Sequence, residues 1–404
     1  MRVFTNSLMV LIVGCAIART ISGVLVNHVI EHFDLVGAAQ GYMNSVINAG
    51  TMVAVISTIA VRWKAKKASI LVFSGLLIAA SVALTGLSAS SFHLLLAMSL
   101  ALGVGLGWND VYTNSCVIDA NPSGSAKYQS ALQGWYAVGA IAAPLAIAGL
   151  LMKTGWQGVY LALAPPLLLI AVIYMVCLRV AGRRAADTEG GPSGFAAGRR
   201  AAAADNVPPK ASPGFAAGEI RLFLKDRNSL LLIASCIAYY TMQYGLFAWL
   251  VRYMSVQHGA EALGMASITI MWVCTSVARF AAPKLPVGNM KLHAFGALAA
   301  GATLFVGIRS GSPWIMCAMV GAGALATGNS LPALLNTCAT GYRGDTLLPT
   351  SAMLLSMQIT GMVVPPILGA IAVYSMQGSM LVLVIAAFVS GFIGLAWLRG
   401  QRRK

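Results

Sequence analysis

Apolar stretches of about twenty residues dominate the chain, and that length crosses a hydrocarbon core roughly 30 Å thick at 1.5 Å rise per residue. Twelve such spans are expected, at approximately 7–29, 38–61, 69–88, 92–118, 130–151, 157–179, 229–253, 262–282, 291–308, 313–336, 347–373 and 378–398. The fold class that follows is an all-α integral membrane protein with twelve transmembrane helices. A water-soluble domain is excluded, because 58% of the 404 residues are hydrophobic, 9% are charged and the mean hydropathy is +0.79.

A formal charge of +16 would suggest nucleic acid in a soluble protein. Here the basic residues flank the spans, where they set topology and meet anionic lipid, so membrane lipid and not nucleic acid is the expected partner. Arg62, Lys64, Lys66 and Lys67 follow span two. The middle loop carries Arg183, Arg184, Arg199, Arg200 and Lys210, and the tail carries Arg399, Arg402, Arg403 and Lys404. The opposite loops hold only Lys153, Arg252 and Arg309. This asymmetry predicts a cytoplasmic (inner) membrane protein with both termini and the middle loop cytoplasmic.

The seven cysteines, Cys15, Cys116, Cys177, Cys236, Cys274, Cys317 and Cys338, lie in apolar segments without CxxC spacing. They read as small packing residues, and no metal or cofactor is expected. The N-terminal run contains Arg19 and lacks a clear cleavage site, so it reads as a span and not a signal peptide. The loop 181–218, rich in Ala, Gly and Pro, carries GFAAG at 194–198 and 214–218 and reads as a flexible linker. Glu219–Arg227 is expected as a short interfacial helix. Six spans on each side of a linker suggest duplication, and one constant offset supports it. It places Arg62 on Lys284, Phe73 on Phe295, Asn114-Ser-Cys116 on Asn336-Thr-Cys338, Gly139 on Gly361 and Pro144 on Pro366. The expected organisation is a half at 1–180, a linker with its helix at 181–228 and a half at 229–404, with a substrate site near the midplane between the halves.

Of eleven acids, only Asp110 falls inside a span, and Arg19 is the only basic residue near the middle of one. Ionised groups at bilayer depth are costly and normally face a wet cavity, a partner or a substrate. Three arrangements are open. The two residues form a stabilising ion pair, Arg19 binds an anionic substrate while Asp110 carries a proton, or Arg19 packs while Asp110 bonds a sugar hydroxyl. A permanent pair makes a poor proton carrier, whereas one broken by substrate makes a coupling device. Helical periodicity puts Asp110, Thr113, Asn114 and Val117 on one face of span four, and Arg19 with Cys15, Ser22 and Gly23 on a face of span one. Tyr240, Gln243, Tyr244 and Phe247 form an aromatic stripe in span seven. Span ten offers Thr327, Asn329, Ser330 and Asn336, and span eleven Gln358.

These segments carry a resemblance. VRWKAKK (61–67) sits where the major facilitator superfamily has its basic signature after span two, although the Asp and glycines of that signature are missing. GLGWNDVYTN (105–114), QGWYAVGAIAAP (133–144), YYTMQYGLFAWLVRY (239–253) and GMVVPPILG (361–369) are similar to segments of the fucose-permease-like branch, the fucose–galactose–glucose:proton symporters. The resemblance covers the chain apart from the linker and implies two six-helix halves around a path lined by spans one, four, seven and ten. It makes Asp110 the candidate proton-coupling residue. Arg19, Asn109, Thr113, Asn114, Tyr136, Tyr240, Gln243, Tyr244, Asn329 and Gln358 become candidate substrate contacts. The branch pairs its span-four carboxylate with one in span one. Here Ala18–Arg19 occupies that neighbourhood and no acid precedes Glu31, which puts sugar selectivity and proton coupling in doubt.

Two motifs are set aside. His28-Val-Ile-Glu31-His32 spells the HxxEH of a zinc peptidase but lies at the end of a span without a third ligand. Gly103, Gly105 and Gly107 read as packing and not as a phosphate loop. The expected function is secondary active transport of a sugar-like solute or small organic anion by a monomer, proton-coupled and by alternating access. The alternatives are a proton-driven exporter of amphipathic compounds and a membrane sensor on the same scaffold. A membrane-embedded enzyme is not expected, because it would need paired carboxylates or a metal cluster at the membrane face.

Overall fold

The computed structural model describes residues 2–35, 42–60, 67–88, 91–187, 217–342 and 346–401, and every regular element among them is helical. In chain order these are α1 (Arg2–His32), α2 (Tyr42–Ala60), α3 (Lys67–Leu87), α4 (Phe92–Ala120), α5 (Ser125–Asp187), α6 (Ala217–Lys225), α7 (Arg227–His258) and α8 (Glu261–Ala281). A 3₁₀ turn (Ala282–Lys284) leads to α9 (Asn289–Arg309), α10 (Pro313–Thr327), α11 (Ser330–Gly341), α12 (Leu347–Tyr374) and α13 (Met376–Gln401). The basic stretch Arg62–Lys66, the first GFAAG copy, most of the expected linker and Arg402–Lys404 lie outside the described residues.

Among the described residues ten helical segments, not the expected twelve, are long and apolar enough to cross a membrane. The expected second span is represented by the shorter apolar stretch Ser45–Ala60 within α2. The expected fifth and sixth spans lie on either side of Gly155 within the 63 residues of α5, and among the described residues Gly149–Val180 is its long apolar part. Direction changes at Gly155 itself, where φ 70 and ψ 177 occupy a region essentially reserved for glycine. The expected tenth span is broken, with α10 ending at Thr327 and α11 beginning at Ser330.

α5 continues to Asp187, into the first residues of the expected linker. The expected helix 219–227 stops at Lys225, because Asp226 caps the next helix by accepting from the Asn228 and Ser229 backbone N–H groups.

The chain divides into two compact units. The first comprises Met1–Tyr128, Trp135–Ala216 and Asp345–Ser351, and the second Gln129–Gly134, Ala217–Gly344 and Ala352–Lys404. In the first, α4 packs against α1, α2 and α3. The glycine run makes this possible: a Cβ on Gly103 would overlap the Ile47 carbonyl of α2, and one on Gly105 would press on Ile78 of α3 at 2.8 Å. Thr51 of α2 adds a cross-helix hydrogen bond to the Gly103 carbonyl at 3.2 Å. With these faces of α4 occupied, Asp110 is left turned toward α1. In the second unit α13 packs on α7 and α9, and α10 lies against α8 and α9.

Candidate functional site

The first unit brings Arg19 and Asp110 together. Arg19 Nη2 donates to Asp110 Oδ2 at 2.8 Å, and the Cys15 thiol, one turn earlier on α1, reaches Asp110 Oδ1 at 3.6 Å. The side chains of Arg19 and Asp110 keep 24% and 13% of their surface. The pair is therefore not sealed inside the bundle.

The other predicted residues of α4 turn inward. Asn114 Nδ2 donates to the Asp110 carbonyl at 2.6 Å, which ties its amide to its own helix. Thr113 Oγ1 donates to Asn109 Oδ1 at 3.3 Å, and both residues are fully buried. Asn109 Nδ2 is buried without a hydrogen-bond partner among the described residues. Tyr136, on α5, is half-buried. A second ion pair of this unit, Lys67 Nζ to Asp119 Oδ2 at 3.0 Å, closes the far end of α4 together with Ser115.

The predicted contacts of the second unit are neutral and largely aromatic. Tyr240 packs its ring between Tyr239 and Tyr244, at centroid distances of 5.0 and 5.2 Å. The Tyr244 ring sits over Gly361 of α12, where an added Cβ would meet it at 3.1 Å. Gln358, about one turn before Gly361, is buried. Gln243 lines a separate cavity of about 20 Å³ between α7, α8, α9 and α10, with Tyr239, Thr275 and Thr327 as its other polar walls. Its buried Oε1 has no hydrogen-bond partner among the described residues, and the space suits a single water.

Asn329 does not join that group. It accepts from Ser130 Oγ at 2.7 Å and donates to Asn289 Oδ1 at 3.4 Å, at the break between α10 and α11.

Two embedded groups escaped the sequence reading. Arg279, 2% exposed on α8, donates from Nε to the Gly328 carbonyl at 3.0 Å and from Nη1 to the Gln133 carbonyl at 2.7 Å. It supplies hydrogen bonds that the broken helix at Gly328 lacks, at the negative end of the α10 dipole. His293 of α9 is buried with Nε2 2.8 Å from Ser235 Oγ, while Ser390 Oγ donates to the Ser235 carbonyl at 2.9 Å. This knot ties α7, α9 and α13. The available signal was that both residues fall inside predicted spans, near their ends.

The HxxEH residues build no metal centre: His32 packs its ring on Phe33 and Trp156. Among the described residues no three His, Cys, Asp or Glu side chains gather to hold a metal. Chemically, the Arg19–Asp110 site offers a proton acceptor and a cation in direct contact, and the second unit offers aromatic faces and an amide.

Against known proteins, the profile of the Major Facilitator Superfamily matches residues 8–347. A search of curated proteins finds no match. Among solved structures, the superfamily transporter FucP in its outward conformation superposes with a TM-score of 0.76 at 17% identity, covering 97% of this chain and 98% of that one. A variant of the E. coli fucose:proton symporter FucP gives 0.74 at 16% identity, covering 97% and 98%. The proton:xylose symporter XylE bound to 6-bromo-6-deoxy-D-glucose gives 0.69 at 12% identity, covering 99% and 95%. At these identities the likeness is one of fold.

Proposed function

Because the chain belongs to the Major Facilitator Superfamily, we propose that it is a secondary active transporter and not an enzyme, moving a small solute by alternating access with coupling to protons at Asp110. The observation that carries this reading is the Arg19–Asp110 pair, 2.8 Å long and partly exposed on membrane-spanning helices. The sugar symporters FucP and XylE share the fold and support the proton as coupling ion. In this reading the protein has twelve spans, with α2 and the part of α5 before Gly155 as the second and the fifth. Its halves are 1–180 and 229–404, joined by the linker 181–228, and both termini face the cytoplasm of an inner-membrane monomer.

The solute is sugar-like or a small organic anion. Asn109, Thr113, Asn114 and Tyr136 beside the pair, and Tyr240, Gln243, Tyr244, Asn329 and Gln358 in the second unit, are its candidate contacts. In the present conformation the amides of Asn114 and Asn329 are engaged internally, so they act by holding the site unless the helices shift.

The test is uptake into proteoliposomes containing the purified protein, with a panel of labelled hexoses and monocarboxylates and an imposed pH gradient. At least one solute is expected to accumulate when the outside is acidic, and collapse of the gradient should abolish accumulation. Uptake that ignores the gradient for every transported solute contradicts proton coupling.

A further inference from the structure

We infer that the solute bound at the Arg19–Asp110 site is a monoanion, in the first instance a carboxylate, which enters together with the proton taken up by Asp110. The inference rests on the coupling reading above and names its substrate class.

Charge bookkeeping at the pair carries the argument. With Arg19 Nη2 on Asp110 Oδ2, the pair is neutral overall. Protonating Asp110 turns its carboxylate into a carboxylic acid and leaves the pair with one positive charge on membrane-spanning helices, a costly state. A neutral sugar leaves that charge in place. A monoanion cancels it, and the site returns to neutrality with one proton and one anion bound. Each therefore promotes binding of the other, and linkage requires that promotion to be reciprocal. The guanidinium fork that now holds the Asp110 carboxylate matches a substrate carboxylate equally well. Exchange of one carboxylate for another is thus a small geometric change.

Among the described residues of the helices packed against α4, few charged or titratable groups compete. From α1 the charged and titratable groups facing Asp110 are Arg19 and Cys15, the latter on Asp110 Oδ1. In α2 the only such residue is Tyr42, exposed at its start. In α3 it is Lys67, which is held by Asp119 nine residues further along α4, roughly 13 Å away at 1.5 Å per residue. The contrast with Arg279 matters as well. That guanidinium is 2% exposed and bonded to two backbone carbonyls, which cannot take up a proton.

The experiment adds acetate, L-lactate or benzoate to purified full-length protein in weakly buffered detergent solution, with a pH-indicator dye and a calorimeter as parallel readouts. Binding of at least one probe should draw about one proton from solution per protein, and affinity should fall about tenfold per unit rise in pH while Asp110 is ionised. Asp110→Asn should bind the same probe with no proton uptake and no such pH dependence, which also shows that the variant is folded. Arg19→Gln should lose at least tenfold in affinity.

Absence of binding by all three probes, binding without proton uptake, or wild-type affinity in Arg19→Gln overturns the inference. Gradient-driven accumulation of a neutral hexose that these carboxylates do not inhibit overturns it too, while leaving the transporter reading intact. If no solute responds to the gradient, the coupling reading itself fails and this inference falls with it.

Discussion

Two of the arginines on the long apolar helices, Arg19 and Arg279, are held in opposite ways. Arg19 meets a carboxylate, keeps a quarter of its surface and sits where a proton can change its partner's charge. Arg279 is sealed and donates to the carbonyls of Gly328 and Gln133. Backbone carbonyls do not titrate in the working range, so the Arg279 contact is permanent, whereas the Arg19 contact depends on the state of Asp110. On the proposed reading the same side chain serves as a fastener in the second unit and as one half of a switch in the first. Whether an intramembrane arginine is functional depends on its partner more than on its depth.

Substitutions sharpen or break this contrast, and the largest effect on folding is expected at Arg279. Arg279→Ala removes two charge-assisted hydrogen bonds, each worth about 1.5–3 kcal/mol, and leaves two carbonyls without those donors. Thermal unfolding in detergent should show a marked loss of stability, and Arg279→Lys should recover only part of it, since an ammonium lacks the planar fork. A fully stable Arg279→Ala protein would remove the fastener from this account.

Gly155→Val should follow, at about 1–3 kcal/mol, because its backbone lies where side chains are strained. Its loss of stability should not extend to Gly149→Ala, whose Cβ would meet open space. Ser235→Ala unties the His293 knot and should cost about 1–2 kcal/mol without altering proton coupling. Loss of coupling in that variant would assign the second unit a charge-handling role that the comparison denies it.

The smallest effect on folding is expected at the switch. Arg19→Gln should change stability less than Arg279→Ala, because the pair is partly solvated and Asp110 can take up a proton when its partner is lost. If Arg19→Gln unfolds as readily as Arg279→Ala, the two arginines do the same job and the distinction collapses.

The sequence made the helical class and the two charged residues legible, though not that they pair, for a physical reason. Long apolar runs leave little freedom of interpretation, and a lone acid and a lone base near the middle of spans have few places to go. Helical periodicity also put Cys15 on the face of Arg19, where the structure has it. The packing role of Gly103 and Gly105 was readable because no strand–helix unit surrounds them. What stayed hidden depends on contacts between distant segments. Nothing local says that Asn114 bonds its own helix, that Asn329 is engaged by Ser130 and Asn289, or that Gln243 and Tyr244, adjacent in sequence, serve a cavity and an interhelical contact respectively. Arg279 and His293 lie close to span ends, where interfacial placement is the ordinary expectation, and only tertiary packing shows them buried. The break in α5 was legible, since the non-helical Gly155 falls in the gap 152–156 between the expected fifth and sixth spans.

The central claim is that Asp110 carries the proton while Arg19 holds the solute. The most direct test takes a labelled solute that wild-type proteoliposomes accumulate and compares Asp110→Asn in two modes, exchange of internal for external solute and accumulation against a gradient. Exchange at a rate comparable to wild type, with no accumulation under an imposed pH gradient, is the predicted result. Accumulation at the wild-type level by Asp110→Asn would contradict the account.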